Sequence, residues 1–132
     1  MAYMTQEKKA KIAPQVKSVL RKHGLKGSLS VDNHSTLVLK ISEGSIDFYE
    51  NLLETSKAIG EDTQYITKDI DVNPYWYHKH FSGYPMEVVG ELIAAMNNGN
   101  HDRSIPQVDY FDVGWYITIH IGTYKKPYLL EI

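Results

Sequence analysis

Apolar residues recur at helical spacing near the start of the chain, where Ile12, Val16, Val19 and Leu20 share one face among Lys8, Lys9, Lys11, Lys17, Arg21 and Lys22. Thr5 suits an N-cap, and Gly24 suits a C-terminal stop. Pro14 lacks an N–H and crowds the preceding turn. A helix is therefore expected over Pro14–His23, with residues 5–12 either a looser lead-in or the front of a kinked helix. Alternation then takes over. Ser28–Val31 and Leu37–Ile41 read as the two strands of a hairpin, turned by Asp32-Asn33-His34-Ser35 and ended by Ser42–Ser45.

Helical spacing returns in Asp47–Ile59, closed by Gly60, and in Pro85–Met96, with Val88, Val89, Leu92, Ile93 and Met96 as its stripe. Between them, Tyr65–Thr67 and Ile70–Val72 read as a strand pair or one bulged strand. Tyr75–Phe81 reads as a short helix opened by Pro74 at its first position. Residues 97–107 are polar enough for a loop. Trp115–Gly122 alternates cleanly, with Trp115, Ile117, Ile119 and Ile121 on one face, and Val108–Val113 is expected to pair with it or run into it. Pro127–Ile132 reads as a tail. With no repeat and no linker, the order of elements predicts one α+β domain over residues 1–132. Its small antiparallel sheet, of about four strands, would pack against two to four helices.

Composition narrows the function classes. The chain has 132 residues and a net charge of −2, with 42% hydrophobic and 23% charged residues. Its isoelectric point is about 6.3. This balance supplies no overall attraction to nucleic acid or anionic membranes. The absence of cysteine excludes disulfides and thiolate metal sites. No apolar run suggests a signal peptide or a membrane span, so a cytoplasmic protein is expected.

The least ordinary stretch is Asn73–Tyr84, NPYWYHKHFSGY, which holds five aromatics and two histidines in twelve residues. Three readings compete. The rings could form a core corner, since aromatic side chains bury large areas. Tyr75, Trp76, Tyr77 and Phe81, with His80 and His34 as polar contacts, could instead anchor a protein partner. Or they could stack bases, although Lys79 is the main local cation. His78 and His80 would share a face on a strand; on a helix they diverge by about 200°. A metal site would also need a third ligand, such as His34, His101, Asp102 or His120, and none stands at diagnostic spacing.

Other polar groups are weaker signals. Asn33–Thr36 suits a turn more than a His–Ser nucleophile pair, because no nucleophile elbow or orienting acid accompanies it. Asp109 and Asp112 could share proton transfer but equally face solvent. The polar stretch 97–103 lacks the glycine pattern of a phosphate loop.

The opening MTQEKKAKIAPQVKSVLRKHGLKGSLSV, the tip NHSTLVLKI, the segment NPYWYHKHF and the ending YFDVGWYITIHIG together resemble a family of small uncharacterised proteins of bacteriophages and bacterial mobile elements. The resemblance covers most of the chain and implies no activity. It implies a small accessory protein that engages another protein, as inhibitors of host or defence machinery do, in the host cytoplasm. The expected function is thus a non-enzymatic protein-binding module without cofactor or metal, with self-association left open. Two alternatives stand beside it. One is a nucleic-acid binder using Lys8, Lys11, Lys17, Arg21 and Lys22 with stacking aromatics. The other is a small hydrolase or metal enzyme built on His34, His78, His80 and acidic residues.

Overall fold

Helix α1 spans Gln6–Lys22 without a break, and Pro14 lies inside it. Of the two expectations, the looser lead-in is corrected: the helix begins at Gln6 because the Thr5 hydroxyl accepts from the Lys8 N–H at 3.0 Å, and Ile12 is buried along with Val16 and Leu20. Pro14 is exposed, so the carbonyl four residues earlier can turn to water. Gly24, with φ of 68°, takes the left-handed step that ends the helix. The computed structural model describes residues 2–64, 66–100, 114–123 and 125–131.

Strands β1 (Leu25–Asp32) and β2 (Thr36–Gly44) form the hairpin. β2 runs through Ser42 and Glu43 instead of breaking there, because β1 pairs with it as far as Gly44. Asn33 and His34 both adopt left-handed backbone at the tip. α2 (Phe48–Ala58) follows, capped by the Asp47 carboxylate on the Glu50 N–H. Of the two short runs expected as strands before Asn73, Ile70–Val72 is one, β3; in the other, Tyr65 lies outside the described residues and Ile66 and Thr67 are in no strand. α3 (Tyr77–His80) and α4 (Gly83–Met96) come next, then β4 (Tyr116–Ile121) and β5 (Leu129–Leu130). The expected tail therefore contributes a strand. The expected Val108–Val113 strand, the pair Asp109/Asp112 and most of the 97–107 loop lie outside the described residues.

The fold is α+β, with a five-stranded sheet in the order β1-β2-β4-β3 and β5 added beside β2. It is mixed, not wholly antiparallel: β2 runs parallel to both β4 and β5. Alternation decides the faces. Leu37, Leu39 and Ile41 of β2, Ile119 and Ile121 of β4, and Ile70 and Val72 of β3 are buried, together with Val88, Val89, Leu92 and Met96 of α4. The opposite face carries Ser28, Ser30, Lys40 and Ser42, all exposed. α1 packs on β1 and α4, and α3 bridges α2 and α4. That bridge holds the aromatic segment at the edge of the core. No helix among the described residues is long and apolar enough to cross a membrane.

Candidate functional site

The aromatic segment divides by direction. Asn73 starts it with an Asx turn: its side-chain oxygen accepts from the Tyr75 N–H at 2.8 Å and the Trp76 N–H at 3.3 Å. Residues 74–76 are therefore a turn, and α3 begins only at Tyr77. Pro74 does not open the helix, contrary to expectation: it lies in the turn, where the Trp76 N–H returns to the Asn73 carbonyl at 3.2 Å. The turn directs Tyr75 and Trp76 outward, at 68% and 50% exposure. The single turn of α3 directs Tyr77 inward against α4 and delivers Phe81 to the core.

Phe81 is 1% exposed and meets Phe48 edge-on at 6.0 Å. As a surface anchor it is corrected: its ring is part of the core and braces the segment from beneath. Tyr77 is half-buried, its hydroxyl lying over Gly90 of α4. Lys79 stands over the Trp76 ring at 4.5 Å, and His78 packs beside the same ring at 6.4 Å. His80 turns away from them and lines a groove against Phe81.

Asn51 of α2 fixes this arrangement from outside the segment. Its carbonyl oxygen accepts from the Ser82 N–H at 2.9 Å, and its amide donates to the Ser82 carbonyl at 3.1 Å. Thr55 adds a hydroxyl contact to Ser82 at 2.9 Å. Ser82 is the residue just before α4, so α2 sets where the aromatic segment ends.

His34 lies elsewhere. Its carbonyl accepts from the Met4 N–H, and the neighbouring Ser35 carbonyl accepts from the Tyr116 N–H. The hairpin tip is thereby tied to the lead-in of α1 and to β4. No contact among the described residues joins His34 to the aromatic segment, so it is not brought to the site. The histidine-based alternative loses the same convergence, since His78 is exposed on α3 and His80 faces the groove. Among the described residues, no three His, Asp or Glu side chains are grouped to hold a metal.

The basic face of α1 is partly spent. Lys11 pairs with Glu7 at 3.9 Å and Lys22 with Glu91 at 3.3 Å, while Lys8 donates to the Tyr3 carbonyl and lies 5.6 Å from the Trp115 ring. His23, at the end of α1, bridges two groups of α4. Its Nε2 meets Glu91 at 2.6 Å and its Nδ1 meets the Tyr84 hydroxyl at 2.5 Å. The hydrogen bond from His23, with help from Lys22, holds the Glu91 carboxyl below its usual range. An ionised carboxylate only accepts, so Nε2 carries a proton, and in a neutral ring Nδ1 accepts from Tyr84. Sequence reading missed this relay. His23 and Glu91 are remote in sequence, and nothing local to either marks the pair.

Compared with family models, with curated proteins and with solved structures, the chain matches none.

Proposed function

We propose that the chain is a protein-binding module, a small phage or mobile-element accessory protein that acts on host or defence machinery through Tyr75 and Trp76. The outward placement of Trp76 carries this reading. A tryptophan half in solvent, beside a tyrosine more exposed still, is costly to leave uncovered, and these residue types are enriched at the energetic centres of interfaces. The mount is stiff, since the Asn73 turn holds the two rings from one side and Phe81 with Tyr77 from below. A stiff aromatic anchor loses little freedom on binding. Lys79 and His78 supply the polar edge.

The test compares capture of host proteins by the natural chain and by Trp76→Ala, with thermal unfolding of both. The reading expects the variant to lose one specific co-purifying protein while its unfolding midpoint stays within a few degrees. Retained capture, or a collapsed transition, contradicts it.

A further inference from the structure

The main run of the sheet ends in β3 on one side and β1 on the other. β3 is three residues long, carries Asp71 at its centre and leads directly into the Asn73 turn, features that keep an edge from pairing with another chain. β1 has no such protection: it is eight residues long, without proline, and its one strand neighbour among the described residues is β2. The Asp32 carbonyl accepts from the Ser35 N–H, and the Lys26 carbonyl accepts from the Ser42 hydroxyl. The even-numbered residues of β1 thus turn their backbone toward β2. Gly27, Leu29 and Val31 turn theirs outward, and among the described residues no backbone group outside the ladder reaches them.

The side chains along this edge complement themselves. In antiparallel pairing about a two-fold axis at Leu29, Leu29 faces its copy, Gly27 faces Val31, Ser28 faces Ser30, and Lys26 faces Asp32 at both ends. The Asp32 carboxylate has no partner among the described residues. The Lys26 side chain is 70% exposed and is held by Glu43 alone, at 3.3 Å. Leu29 and Val31 pack on the core with part of each left uncovered, and the copy's leucine and valine would cover it. A slip of two residues keeps the faces but loses both ion pairs. An extended segment of unrelated sequence would meet the same backbone groups without the charge match.

We propose that β1 is a self-association edge, through which two copies of the chain join their sheets in that register. Pairing of this length covers less than the roughly 1,200 Å² of an ordinary stable interface, so the pair forms reversibly, at about 10–100 µM. The aromatic turn follows β3 at the far edge, so Tyr75 and Trp76 stay uncovered in the pair. The inference therefore stands apart from the protein-binding reading.

Sedimentation of the full chain from about 10 µM to about 1 mM should show a monomer–dimer equilibrium. Over the same range, amide exchange read by NMR should slow at Gly27, Leu29 and Val31. Lys26→Asp sets aspartates against each other at both ends, and Asp32→Lys does the same with lysines. Each variant alone should pair about tenfold more weakly. An equimolar mixture of the two should regain the natural affinity, because each chain then faces its complement. That recovery also shows that both variants are folded. A monomer across the whole range, slowed amides elsewhere than β1, or folded variants that pair as strongly alone as the natural chain overturns the inference, as does a mixture of folded variants that recovers nothing. Should a variant fail to fold, the amide pattern of the natural chain decides.

Discussion

Trp76 and Phe81 lie on the same short segment and have opposite fates. Trp76 meets solvent and a lysine, whereas Phe81 meets Phe48 and the core. Truncating Trp76 to alanine should therefore cost under about 1 kcal/mol, the scale of an exposed ring–cation contact. Truncating Phe81 should cost about 3–5 kcal/mol, through lost burial and the cavity left behind. Urea unfolding of the two variants checks the contrast, and similar losses would show that both rings are core. The oddity of this segment is legible from residue types alone. Which rings face outward is not. That depends on the turn over residues 74–76, in which Asn73 Oδ1 takes the Tyr75 and Trp76 amides before α3 begins at Tyr77. A helix started at Pro74 would have given a different set of outward residues. Asn51 is similarly silent in sequence, and Asn51→Ala should loosen the α3–α4 junction by about 1 kcal/mol, read in the same unfolding series.

Elements with strong periodicity are where sequence and structure agree: α1 about its Ile12–Val16–Leu20 stripe, α4, and β4 with its alternating isoleucines. The disagreements have local causes. Pro14 argues for a break, yet neighbouring turns and a capped start carry α1 through it. Pro14→Ala should restore one backbone hydrogen bond and stabilise the fold by about 1–3 kcal/mol, seen as a raised thermal midpoint. β5 was illegible because two residues carry no period. It is made by the Glu131 N–H on the Gly44 carbonyl at 2.8 Å, and by Tyr128, whose hydroxyl donates to the Ile46 carbonyl at 2.8 Å and whose pKa burial pushes to about 12.

This junction carries a pH dependence. The Glu43 carboxyl, through its hydrogen bond and its charge, raises Glu131 above the usual carboxyl range, while Glu131 and then Lys26 hold Glu43 below it. A raised folded pKa contributes stability below the unfolded value and loses it as pH rises through the folded one. For Glu43 the sense is reversed, and its contribution fades as pH falls through its depressed value. Raising pH past the Glu131 value leaves two facing carboxylates, so β5 should loosen. Hydrogen exchange at the Glu131 amide, corrected for intrinsic rates, should report that loosening. Glu131→Gln should abolish it, and an unchanged pH response in that variant would contradict the pairing.

At the scale of the molecule, one core joins the inner face of the sheet to α1 and α4, and the two tryptophans divide between inside and outside. Trp115, 6% exposed, donates its indole N–H to the Met96 carbonyl at 3.1 Å and helps to close the end of α4. Trp76 has no such structural task. A small net charge and an outward aromatic turn favour contact with a protein surface over attraction to a polyanion. The most direct measurement places a photoreactive benzoylphenylalanine at Tyr75 and, as control, at exposed Gln15 of α1, and irradiates each protein in host lysate. The account predicts one discrete adduct from position 75 and none of that mass from position 15. No adduct at 75, or the same adduct from both positions, would contradict it.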